Sequence, residues 1–313
     1  MTMSTLIKNA IVYAAELPGC DDLTKHLLER PYEPIGATEL SRTSFVPHHL
    51  SGELVTRFEG GFAFCMRLDE KILPKAIVKA SAVARIARIE QVSGKRLSKV
   101  ERLAIHDDQM IQLAKTALVK TAIITVYYRT DKNYLIVPSS KGMASLIVGT
   151  LIQVVGSVKT TTIHISDIKN GLTTRLKNHL GDDDEAFAAQ EFSLGEQVEL
   201  ARKSEQVNYR LEALDSAKAN ILERIEIGFE VRALSLSYGG VEFKLNQDFT
   251  FKQIAFLDEV DSSAEDDAVY TWQQEAAIQT LLFGNVITSL CDLLGYKPPQ
   301  DEAAAVNPEL TTA

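Results

Sequence analysis

The sequence predicts an α+β protein with mainly antiparallel sheets and long helices. Three observations carry this. Short apolar runs are joined by tight turn signals at Gly60-Gly61 and Gly239-Gly240. Longer stretches over 75–91 and 268–294 read as helix. Hairpins and helices follow each other in irregular order, unlike the regular strand–helix rhythm of a parallel sheet.

Taken in order, alternation around Leu6–Ala14 suits a strand, and Asp21 or Asp22 caps a short helix through Leu23, Leu27 and Leu28. Residues 31–51 read as loop, with Pro31, Pro34, Gly36 and Pro47. Strands over 53–58 and 62–68 flank the Gly60-Gly61 turn. From Lys75 to Gln91, Ala82, Ile86 and Ile89 recur at i, i+4 and i+7 and mark a helix that Gly94 interrupts. A second helical stretch runs from Ser98 to Thr121 along Leu103, Met110, Ala114 and Ala117. Asp107-Asp108 divides it into two, because Asp favours N-cap positions. Strands over 123–129 and 134–137 meet at Asp131-Lys132-Asn133. An apolar helix over 140–154, a strand near 161–165, a helix near 167–180 and an acidic loop, Asp182-Asp183-Asp184-Glu185, follow. The last third holds a helix over 215–226, strands over 228–238, 241–245 and 249–256, and a closing helix over 268–294. Pro298-Pro299 ends it, and the Ala-rich tail reads as disordered. The parts are 1–70 (α+β), 71–122 (basic, helical), 123–296 (α+β) and 297–313 (tail).

A chain of 313 residues buries enough apolar surface to need no metal or disulfide staple. Cys20, Cys65 and Cys291 form no CxxC pair, so a reducing cytoplasm is expected. The N-terminal apolar run is short and broken by Lys8, Asn9 and Glu16, which argues against a signal peptide. No stretch reads as approaching the ~18–20 apolar residues of a membrane span.

Catalytic patterns are thin. Ser93-Gly94-Lys95-Arg96 lacks the second glycine of a phosphate loop, since position 89 is Ile. No G-x-S-x-G or H-E-x-x-H is present. His48-His49 is the one close histidine pair; in a proline-containing loop it is expected to face solvent and hold no metal. The run 182–185 could serve a Mg²⁺-dependent nuclease, although four adjacent acids usually form a solvated loop. No cofactor is indicated.

Charge distribution is the best chemical lead. The net charge is −9, yet residues 71–120 hold eleven Lys and Arg against four Asp and Glu, a local +7 that leaves −16 elsewhere. Lys79, Arg85, Arg88, Lys95, Arg96, Lys99, Arg102, Lys115 and Lys120 form a spaced cationic array suited to successive phosphates. Solubilising side chains on exposed helix faces would look the same. No aromatic residue lies between Phe64 and Tyr127, so base stacking is not offered here and duplex backbone suits the array better than single strands.

The same region resembles the RdgC family of bacterial recombination-associated proteins. Asp69-Glu70-Lys71-Ile72-Leu73-Pro74 resembles that family's E-K-I-L-P element, and Gly94 to Arg102 its K/R-x-L-x-K-x-E/K element. Lys8-Asn9 with Val12-Tyr13, Tyr32 to Gly36, Phe45-Val46-Pro47 and Phe256-Leu257-Asp258-Glu259 fall in matching order, over about residues 6–295. The resemblance implies a non-enzymatic, ring-forming homodimer on the nucleoid. Such a ring surrounds double-stranded DNA without reading its sequence, binds single strands more weakly, and restrains RecA-promoted strand exchange. Leu118 stands where the family often has a Phe that helps close the ring, and the basic stretch ahead of the last-third helix is reduced to Arg210 beside Glu212. The rival readings are the nuclease and an adaptor that binds proteins through its acidic surface.

Overall fold

The computed structural model describes residues 5–156, 161–162, 171–181, 185–188, 191–210, 214–257 and 267–295. The elements are β1 (Ile11–Ala14), α1 (Cys20–Leu27), β2 (Ser41–Val46), β3 (Val55–Phe58), β4 (Gly61–Lys71), α2 (Lys75–Ser93), α3 (Lys99–Ala114), β5 (Val119–Arg129), β6 (Tyr134–Val137), α4 (Lys141–Val155) and β7 (Thr161–Thr162). The second half adds α5 (Gly171–Leu180), α6 (Glu185–Ala188), β8 (Ser193–Arg202), β9 (Glu205–Arg210), α7 (Leu214–Glu226), β10 (Glu230–Tyr238), β11 (Val241–Asn246), β12 (Phe251–Phe256) and α8 (Ala268–Leu294).

The α+β architecture with antiparallel sheets is as expected. One sheet runs β2-β4-β5-β6-β1-β7, with β3 also on β4; the other runs β12-β11-β10-β8-β9. β4 and β5 pair along their full lengths, from Gly61 opposite Arg129 to Lys71 opposite Val119. Gly61 is required by close approach, since a Cβ there would sit 2.2 Å from the Tyr128 carbonyl oxygen.

Strand alternation divides the core into two layers. On one face of the first sheet Phe62, Phe64, Met66, Val126 and Tyr128 pack on α1 and α4. On the other, Ala63, Tyr127 and Ile136 meet α8 and the apolar face of the second sheet. Helix α8 touches β3, β5 and β11 and so joins the two sheets. It is long and apolar enough to cross a membrane, contrary to the expectation that no stretch approaches that length. Its apolar residues form this core, together with buried Glu275, Gln279 and Thr280.

Several other expectations are corrected. Residues 31–51 are not all loop, because 41–46 form β2 against β4. Helix α1 is capped by Gly19, with Asp21 and Asp22 in its first turn. Helix α3 runs unbroken through Asp107-Asp108 and ends at Ala114, and the following strand begins at Val119. Leu103 points outward, and His48 is buried at 3% exposure. Strands β8 and β9 were not expected. The expected elements at 163–170, the acids 182–184 and the tail lie outside the described residues, as does the Glu185 side chain.

Candidate nucleic-acid interface

The basic segment folds as a helical hairpin between the paired strands β4 and β5. Pro74 precedes α2, where its missing N–H costs nothing. Gly94 closes α2 in the left-handed conformation at φ 65°, which a glycine adopts without steric cost. Ser98 then opens α3 with a reciprocal capping box: its Oγ accepts from the Glu101 N–H, and the Glu101 carboxylate accepts from the Ser98 N–H.

Glu90 ties the tip together. It accepts from the Leu97 N–H at 2.8 Å and from Arg102 at 2.8 Å. The Leu97 N–H first, then Arg102 and Arg96, hold the Glu90 carboxyl below its ordinary value, so it stays ionised. The two helices are matched in antiparallel order by Ser81–Gln109 at 2.9 Å, Arg85–Asp108 at 3.7 Å and Arg102–Glu90.

All nine expected cationic side chains are exposed. Their placement is uneven. Lys95, Arg96, Lys99 and Arg102 gather around the tip turn, whereas Lys115 caps α3 at the root and Lys120 lies in β5 opposite Glu70. Lys120 is therefore a strand residue and not part of a basic helix. Sixteen residues of α3 at 1.5 Å each separate tip from root by about 24 Å. Arg85 and Arg88 are near neighbours on α2, but Lys79 lies nine residues before Arg88, about half a turn round the helix. The side chains of Lys79, Arg88, Lys95 and Lys99 have no hydrogen-bond or ion-pair partner among the described residues. Arg102 is committed to Glu90 and the Leu97 carbonyl, Arg85 to Asp108 and Lys115 to Gln112. The tip thus offers a cluster of cations free to meet anions, on a frame that other charges hold in shape.

The hairpin also exposes apolar groups. Periodicity did not single out Val92 at 84% exposure, Val100 at 78% or Leu118 at 77% just before β5, and it placed Leu103, which is exposed as well, on the packed stripe. The inner stripe of α2 is spent on α3, with Val78 and Ala82 buried. These apolar side chains are left outside on a charged hairpin, on the face that does not pack between its helices. The available signal was Val92 and Val100 themselves, two β-branched apolar residues flanking a polar turn.

Among the described residues no three His, Cys, Asp or Glu side chains gather so as to hold a metal ion.

A family model described as "Putative exonuclease, RdgC" matches residues 5–297. A recombination-associated protein RdgC from Shewanella halifaxensis is 24% identical over 301 residues, covering 92% of this chain and 97% of that protein. Those of Shewanella loihica and Psychromonas ingrahamii are each 25% identical, over 303 and 267 residues. The order of the sequence elements, the α+β fold and a family match over nearly the whole chain agree, and the chain belongs to the RdgC family of recombination-associated proteins.

Proposed function

We propose that this protein binds duplex DNA through its phosphates, without reading sequence, as a homodimer whose two hairpins help enclose the helix. The observation that carries the reading is the hairpin tip: exposed, unpaired cations protrude from a chain of net charge −9. Phosphate attraction needs local positive potential, not a positive total, and the acids elsewhere keep the protein off other anionic surfaces. The exposed apolar residues of the same hairpin, Leu118 among them, support a contact with a second copy. In the cytoplasm, on the nucleoid, such a ring restrains RecA-promoted strand exchange by occupying the DNA, and binds single strands more weakly because the hairpin lacks aromatic stacking groups.

The family description favours a second reading, an exonuclease. Incubating end-labelled duplex with the protein and Mg²⁺ across a salt series separates the readings. Intact, shifted DNA whose binding weakens with salt supports the proposal. Shortened product supports the exonuclease. DNA that is neither shifted nor shortened supports an adaptor without DNA contact.

A further inference from the structure

Away from the hairpin, a cleft of 710 Å³ lies where β5, the 47–50 segment and the first turns of α8 meet. We propose that it binds an unpaired nucleobase with a hydrogen-bond donor edge, guanine above all. This goes beyond duplex binding and does not depend on it.

Three features select that ligand. The first is an aromatic wall. The Trp272 ring lies 4.2 Å from that of His48 and 6.3 Å from that of Tyr127, and the His49 ring lies tilted 4.7 Å from that of His48. Exposed Ile123 and Leu50 extend this wall at the mouth. The rings cover one another, so a planar heterocycle meets their edges together with the exposed Ile123 and Leu50, and the size suits a small-molecule site.

The second is the charge of the lining. Glu275 is 8% exposed and contributes a carboxylate, while Thr125 and Thr271 add hydroxyls. No Lys or Arg belongs to the described lining, which disfavours a phosphate inside the cleft. A carboxylate offers about four lone-pair positions, so it accepts further donors whatever else it binds. Guanine presents two adjacent donors, its ring N–H and exocyclic amino group, in the geometry a carboxylate accepts as a pair; adenine, cytosine and uracil do not.

The third is His48. It lines the cleft at 3% exposure, and its Nδ1 has no hydrogen-bond partner among the described residues. An unmet buried polar atom is costly, and a ligand with both donors and acceptors can satisfy it. Burial first, and His49 second, hold the His48 pKa below its ordinary value, so the ring is neutral at neutral pH and able to accept.

Trp272 is the only tryptophan of the chain, so its emission reports the cleft directly. Full-length protein is titrated with guanosine, inosine, adenosine, cytidine and uridine. A short oligothymidylate with one guanine, and the same strand without it, are tested at high salt, where phosphate contacts are screened. The expected result is a saturable response to guanosine, with inosine, which lacks the amino group, about tenfold weaker or more. A response from the nucleoside alone identifies a free ligand; a tighter one from the guanine strand identifies an unpaired base. Glu275→Gln should abolish the preference. Ala268→Phe, at the exposed first residue of α8, should block the mouth without touching the core, which keeps the test decisive should Glu275→Gln misfold. Lys95→Glu with Arg96→Glu should lose duplex binding and keep the guanosine response. No saturable response, equal responses to all nucleosides, or a response that survives Ala268→Phe would overturn the assignment.

Discussion

Reversing two charges at the hairpin tip, Lys95→Glu with Arg96→Glu, tests whether DNA is held there. Both side chains are exposed, and the Gly94 turn and Ser98 capping box beside them do not use either one. Each phosphate contact contributes about 0.9 to the slope of log affinity against log salt. Losing two contacts per subunit, four in the dimer, should lower the slope by about 3.6. Between about 50 and 200 mM salt each contact accounts for about 0.5 log units, so the variant should lose salt sensitivity by about a hundredfold over that range. Two added carboxylates repel phosphate as well, which lowers affinity further at low salt. Arg102→Gln is the matched control. Its guanidinium is committed to Glu90 and the Leu97 carbonyl, so its loss should loosen the tip while changing the slope by less than one contact. The assay is fluorescence anisotropy with a labelled duplex at several salt concentrations, beside circular dichroism. A folded double variant with wild-type slope and affinity would refute the tip as the interface.

Gly94→Ala meets no neighbouring atom but must hold φ at 65°, so the cost is conformational, about 1 kcal/mol. Hydrogen exchange of the amides near 94–98 should quicken about fivefold, with the sheets unaffected. Asp69 is buried at 3% exposure; burial pushes its carboxyl up, but hydrogen bonds from Arg67 and Thr121 outweigh this and hold its pKa below the ordinary value. A depressed folded pKa gives stability that is present above the ordinary value near 3.8 and is lost as pH falls through the lowered one. Asp69→Asn should therefore cost about 2 kcal/mol in urea unfolding at pH 7, with the gap from wild type narrowing below pH 4. For Leu118→Asp, wild-type complexes on closed circles should outlast those on linear DNA in a high-salt challenge, and variant complexes should not. Burying a leucine gives about 1.5–3 kcal/mol, enough to hold a small contact shut, and an unpaired charge there opposes it. Equal wild-type dissociation from circles and linear DNA would count against encirclement.

What the sequence by itself determined are the features set by near neighbours. The Gly60-Gly61 turn, the helix closed by Gly94 and the span 268–294 were legible because a turn, a cap and a helix are decided within a few residues. The concentration of cations over 71–120 was legible for the same reason: charge counts need no fold. Tertiary structure decided the rest. Residues 41–46 sit among prolines and read as loop, yet become β2 because β4 offers them partners 19 to 29 residues on. Asp107-Asp108 looked like a helix start, but tertiary contacts such as Arg85–Asp108 carry α3 straight through it. Only the fold showed which cations are spent on Glu90 and Asp108 and which remain free at the tip. His48 was expected in solvent, and α8 arrives from more than two hundred residues away to bury it under Trp272. Such pairings bring together groups far apart in the chain, and no local pattern encodes the identity of a partner that long-range packing supplies.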